Sequence, residues 1–480
     1  MENRLYSTNQ LLWILVLSFG FFYFIQIPLI SSNSDVLLYS LRSKSDLPIV
    51  NYAFYDKTFH HEGTPLPNYH IAHTVILWSI YRFMPNTLRH SIWPAGLVSA
   101  VAAALSIGIS FLIWIELGAS QKKALLAAAL YGLIPTTWHN ALIGEVYSLQ
   151  YLFVFLFLYF FLKNKIGLSA LSFSLANLVS PISGLSFSLV LIGNRIKNKP
   201  IKAAVVGLLA VVFYVLIISV FQINPLRAFD AISSSQRNLL WKSYKFSVIL
   251  LLNINFFIYS IGRGIKTPGA INWKFYSVLI LSISPQLILG FYDSQFLVEK
   301  GSFLSVIFWA ISFMIADNML AKNKHMNVLI LSVLANFIIY GIFWKMPELE
   351  ITQARRSAAF ELNKRGLNHV KISGSWSHAV GLIVERDGWD LQNLSGTLID
   401  IPNPTEQDLE RTMEDSLLIV HFNRDGWIAR TSKAVFPKSM TNLYDPRNTT
   451  FKDILEEKVR NKYFIIYLWK KSKTPPDHTH

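Results

Sequence analysis

The chain has no cysteine. That absence excludes disulfides, thiolate metal sites and a cysteine nucleophile, and it leaves the redox compartment open. Charge is scarce as well. Asp, Glu, Lys and Arg make up 15% of the 480 residues, where a soluble protein carries about 25%. A Gly-rich phosphate loop and metal-ligand spacing are both missing. Internal repeats are also absent, and repeats are a common mark of transporters. What the chain has in quantity is apolar surface. Hydrophobic residues are 52% of it, in many runs close to the ~20 residues that cross a bilayer. A polytopic membrane protein is the class that remains.

Acidic residues are the rarer charged type, 29 against 44 Lys and Arg, for a formal charge of +15. The excess is not spread evenly. Residues 346–480 hold 19 basic and 18 acidic residues, and residues 1–345 hold the remaining 25 and 11. A basic excess confined to the apolar part follows from the positive-inside rule rather than from nucleic-acid binding.

Apolar runs lie at 11–30, 93–117, 124–140, 147–162, 166–179, 182–194, 201–221, 246–262, 274–291, 302–320 and 326–344. The first is too long for a signal-peptide core and reads as a retained anchor. Basic clusters fill every second gap: Lys122-Lys123, Lys163/Lys165, Arg195/Lys197/Lys199/Lys202, Arg263/Lys266/Lys274 and Lys322/Lys324. Placing these with Arg4 in the cytoplasm predicts about eleven spans, with the C-terminus outside. The two basic clusters around 166–194 require a hairpin between them, turning at Ser180-Pro181. The apolar stretch Ile71–Met84, too short to span comfortably, is expected as an interfacial helix. The fold class is therefore a polytopic α-helical domain over 1–345, with a first outer loop at 31–92. A small soluble α/β domain is expected over 346–480, outside the membrane. Its predicted strands are His369–Ser373, Leu417–Phe422 and Tyr463–Trp469; its helices are Glu348–Arg365 and Glu406–Glu414.

In that orientation most acids of the membrane part fall outside, and only Glu2, Glu116 and Asp317 fall inside. Two acids stand at the ends of spans. Asp35 follows the first span at headgroup depth, where partial desolvation raises a carboxylate towards a useful general base. An ordinary N-cap of a helix Val36–Arg42 is the equal alternative. Glu145 sits in a very short outer connection between two runs, and acids at that depth are functional candidates by default. A helix N-cap or first-turn acid is again the alternative. His70 and His73 open the interfacial helix at i, i+3 and share one face; with a carboxylate they could serve a divalent metal or a phosphate. His60 and His61 read as solvated. On the outer side Arg237 and Lys300 are candidates for an anionic phosphate, Lys300 because its loop is short.

The segment Trp138–Gln150, WHNALIGEVYSLQ, resembles the E-V-Y-S-L signature of a protein O-mannosyltransferase-like branch of the GT-C glycosyltransferases. The order of features is similar too: Asp35 in the first outer loop, Ile71–Met84 with Pro85, the small-residue stretch Leu97-Val98-Ser99-Ala100, then Glu145-Val146-Tyr147. The resemblance covers about residues 11–195. It implies an inverting transferase that moves mannose or a similar hexose from a polyprenyl phosphate to an acceptor hydroxyl on a protein, glycan or lipid. It also implies that Asp35 and Glu145 are the catalytic pair, with Mg2+ or Mn2+ held by them if a cation takes part. Tyr147 joins His70, His73, Arg237 and Lys300 as candidates for binding donor phosphate or acceptor. The setting implied is a prokaryotic plasma membrane, or the ER membrane of a eukaryote. Readings of another class are a flippase of lipid-linked sugars and a non-catalytic membrane scaffold.

Overall fold

The computed structural model describes residues 6–28, 36, 70–89, 91–193, 196–220, 239–255, 273–292, 302–320, 326–364, 418–422, 455–460 and 464–469. The chain divides into two compact units. One comprises Met1–Leu29, Leu47–Val50 and Pro67–Trp344; the other comprises Ile30–Asp46, Asn51–Leu66 and Lys345–His480.

The first unit is helical. It opens with α1 (Thr8–Phe24), whose start is a capping box: the Gln10 N–H donates to Ser7 Oγ at 3.2 Å and the Ser7 N–H to Gln10 Oε1 at 2.7 Å. Next come α2 (Ile71–Phe83), α3 (Asn86–Arg89) and α4 (Trp93–Glu116). Pro94 starts α4, where its missing N–H is harmless. Its 24 residues span about 36 Å. Its buried side is mostly small, with Ser99, Ala100, Ala103, Ser106 and Ser110, so α1 and α7 (Val146–Leu162) pack closely on it. Between them run α5 (Gln121–Gly132) and α6 (Pro135–Leu142). Then follow α8 (Ile166–Val179), a 3-10 helix Pro181–Ile192, α9 (Lys199–Val220), α10 (Leu239–Ile254), α11 (Trp273–Tyr292), α12 (Ser305–Leu320) and α13 (Met326–Tyr340).

Two described helices are long and apolar enough to cross a membrane, Trp93–Glu116 and Lys199–Ser219, and a third joins them if α6 and α7 make one bent span. Large apolar side chains on α9, among them Ile201, Leu208, Val211 and Leu216, are 60% or more exposed, a surface that belongs in lipid. The expected hairpin at Ser180-Pro181 has α8 packed against the 3-10 helix, with Ser180 extended between them.

The expected single span 124–140 is instead two helices, α5 and α6. Pro135 cannot continue the helix, so the chain breaks at Leu133-Ile134. Backbone groups freed inside an apolar unit need partners, and neighbouring helices supply them. Asn336 Nδ2 of α13 donates to the Leu133 carbonyl at 3.0 Å, and the Thr136 N–H donates to Asn253 Oδ1 of α10 at 2.9 Å. Every residue of α6 is buried. Its Trp138 donates to Gln26 Oε1 at 3.1 Å and stacks on Tyr340, and its Asn140 Oδ1 accepts from Ser302 Oγ at 2.8 Å.

The acids expected on the inner side are ion-paired. Glu116 at the end of α4 meets Lys163 just after α7 at 2.6 Å, and Asp317 of α12 meets Lys123 of α5 at 2.5 Å. The basic clusters after α4 and α7 thus gather at one end of the unit, and Glu145 lies at the other.

In the second unit the described residues form α14 (Met346–Lys364) and an antiparallel three-stranded sheet in the order β1 (Leu418–Phe422), β3 (Phe464–Trp469), β2 (Leu455–Arg460). Leu418 pairs with Leu468 and Phe422 with Phe464, and β2 carries an irregularity between Glu457 and Val459. The expected strand His369–Ser373 and helix Glu406–Glu414 lie outside the described residues.

Candidate functional site

Glu145 stands where α6 ends and α7 begins, and the two helix axes differ by 111°. A bend of that size over three residues requires an unusual backbone, and Gly144 provides it with φ of +77°. Space forces glycine as well. A Cβ there would lie 2.8 Å from Ala95 Cβ and 3.0 and 3.1 Å from the backbone of Ala95 and Gly96. The loop is thus pressed onto the first turn of α4. One turn further along α4, Ser99 Oγ donates to the Glu145 carbonyl at 3.1 Å. Glu145 is at the N-cap position of α7, as the simpler reading expected, yet its side chain makes no capping hydrogen bond. It is 4% exposed.

His73 reaches the same loop from α2. That helix buries Ile71, Thr74, Leu77 and Tyr81 along one side, and Ile71 packs with Leu178 of α8 and Ile218 of α9. The expected interfacial helix is therefore partly walled in by other helices. His73 is fully buried. Burial pulls its imidazole pKa from 6.5 down to about 3, the neighbouring His70 adds to that, and the Gly144 backbone opposes it. Near neutral pH His73 therefore offers a hydrogen-bonding ring and no charge. His70, at the N-cap of α2, shares a 2.5 Å hydrogen bond with the Val179 carbonyl. Tyr147 is buried in the first turn of α7.

Below Glu145, α6 and α7 enclose a cavity of about 10 Å3 lined by Asn140, Ser148, Tyr151 and Ser305. That is about the room one water needs. Asn140 Nδ2 faces it buried, with no acceptor among the described residues.

The structure thus joins Glu145, His73, Ser99 and Gly144, from three separate stretches of chain. Asp35, Arg237 and Lys300 lie outside the described residues, as do His60 and His61. Among the described residues no three His, Asp or Glu side chains gather as a metal site. Two contributors were not among the sequence candidates. Gly144 carries a signal in its place directly before the acid. Ser99 carries none beyond belonging to a small-residue stretch.

The chain resembles the Archaeoglobus fulgidus oligosaccharyltransferase, solved in its apo form, with a TM-score of 0.52 and 11% identity over 87% of this chain and 70% of that one. The protein shares the fold of that oligosaccharyltransferase. ArnT from Cupriavidus metallidurans in the apo state aligns over 96% of this chain and 98% of that one at 12% identity, but its TM-score of 0.41 carries no argument. No family model and no curated protein matches the chain.

Two measurements probe the geometry of this site. In Gly144→Ala the strained backbone and the close Ala95 and Gly96 atoms predict a loss of about 1–3 kcal/mol in stability together with lost activity. In Gly167→Ala, where nothing lies within 4 Å, melting should not fall. For His73, the lowered pKa means the unfolded chain binds the extra proton first. Its contribution is complete above pH 6.5 and fades as pH falls towards 3. The melting temperature should decline over that window, and His73→Gln should flatten the decline.

Proposed function

We propose that this protein is an integral-membrane inverting glycosyltransferase that uses a lipid-linked sugar. The donor is a polyprenyl-phosphate hexose, mannose or a close relative, and the acceptor is a hydroxyl on a protein, glycan or lipid. The observation that carries the reading is Glu145, a buried residue at the α6–α7 bend whose preceding Gly144 backbone meets His73, within a fold shared with an oligosaccharyltransferase. The E-V-Y-S-L segment adds the mannosyltransferase-like branch.

In the proposed step the acceptor oxygen attacks the anomeric carbon while the bond from that carbon to the phosphate oxygen breaks. Asp35 takes the hydroxyl proton, and the polyprenyl phosphate leaves with the electron pair. A chain anchored by ~0.8 kcal/mol per buried CH2 keeps the reacting carbon at the membrane surface, so the acids must lie at that depth. The basic residues gather at the opposite end, which argues for a site on the outer face. Glu145 and His73 alone are too few donors for a divalent cation. Mg2+ or Mn2+ therefore belongs to this proposal only as a ligand of Asp35 and Glu145 together, where it would take up charge on the phosphate.

The test is to incubate the purified protein, in lipid discs, with a panel of polyprenyl-phosphate sugars and follow release of the lipid phosphate. Release that depends on an added acceptor supports the reading. A panel with no turnover, from protein that is folded and able to bind the donors, rejects it.

A further inference from the structure

A cavity of about 480 Å3 lies at the end of the helical unit away from Glu145. It is enclosed by the last residues of α4 and α7, the end of the 3-10 helix and the starts of α9 and α11. Lys197 and Lys202, at the start of α9, and Lys274, at the start of α11, line it. One carboxylate shares the lining, Glu116, and Lys163 holds it at 2.6 Å. Lys163 is in turn raised above the usual lysine pKa by that hydrogen bond. The three lining lysines have no acidic partner among the described residues. Three ammonium groups around one concave space repel one another unless an anion sits between them.

The positive-inside rule accounts for lysines at this end of the unit, but not for their convergence on a cavity. Lys122 and Lys165 satisfy the rule from exposed positions outside that lining. The rest of the wall is largely apolar, with Leu162 and Phe275. Next to it, α9 presents Ile201, 66% exposed, to the surroundings. A charged cup with an apolar wall, beside a lipid-facing helix, suits an anion that carries a hydrocarbon tail.

We propose that this cavity is a binding site for a phosphate-bearing anion, namely the headgroup of an anionic phospholipid. It lies about a helix length, roughly 36 Å along α4, from the proposed transfer site and is independent of it. Free phosphate shares the chemistry, and the experiment separates the two sources.

The full chain is reconstituted in an equimolar mixture of phosphatidylcholine and phosphatidylglycerol, and retained lipid is measured by native mass spectrometry. The wild type is expected to retain phosphatidylglycerol over phosphatidylcholine by roughly tenfold. The variant Lys197→Gln/Lys202→Gln/Lys274→Gln should retain both equally while melting normally in pure phosphatidylcholine. Lys122→Gln/Lys165→Gln serves as the control and should keep the selectivity. If the triple variant does not fold, single replacements are expected to give graded losses instead. Inorganic phosphate titrated into the wild type distinguishes the sources. No displacement of phosphatidylglycerol supports the lipid headgroup, whereas displacement at millimolar phosphate overturns it in favour of a free anion. Selectivity unchanged in the lysine variants, or lost equally in the control, overturns the site.

Discussion

In Asp35→Asn, transfer from a polyprenyl-phosphate sugar is expected to fall by roughly 10²–10⁴-fold, the usual contribution of a general base, with unchanged yield and melting temperature. The amide keeps the size of the side chain and can still cap a helix, so a capping role predicts near-normal turnover. The two readings of Asp35 therefore part on one assay. Donor binding, measured by retention of the lipid without acceptor, should survive, because a general base acts on the acceptor proton and contributes little to holding the donor. Normal turnover by the folded variant removes Asp35 from the mechanism.

Glu145→Gln is the second variant with a large expected effect. Here the residue is buried, its side chain makes no cap, and the Gly144 backbone just before it meets His73. The amide fills the same space but removes the charge, so the protein should fold and turnover should drop by about 10²–10³-fold, the scale of one lost electrostatic contact in a water-poor site. Glu145→Asp keeps the charge and withdraws it by one methylene, a shift of about 1 Å, which predicts an intermediate loss near 10²-fold. A purely structural Glu145 would give another pattern: both variants would melt early, and the folded fraction would turn over at the wild-type rate.

Much of this follows from short-range properties of the chain. Long apolar runs with basic gaps announce a membrane protein, because transfer of side chains into lipid depends on composition over about twenty residues. Leu418–Phe422 and Phe464–Trp469, short apolar runs in a polar setting, read as strands for the same local reason. Gly144-Glu145-Val146 declared a turn and an acid at a helix start. Other features were hidden. The run 124–140 is apolar up to Ile134 and only weakly polar after it, and hydropathy passes over Pro135. The break is viable only because Asn336 and Asn253, from helices far along the chain, take up the freed backbone groups.

What the sequence alone determined is the class of the protein, the end at which its positive charge collects, and the position of Glu145 beside a turn. The tertiary structure decided what surrounds that acid. His73 reaches Gly144 across more than seventy residues of chain, and Ser99 reaches the Glu145 carbonyl across 46. It also brought Lys274 to the same cavity as Lys197 and Lys202, more than seventy residues earlier in the chain. Hydropathy and spacing describe a residue against its neighbours along the chain, whereas these contacts come from helices pressed together by small side chains, and no local pattern specifies which helices those are.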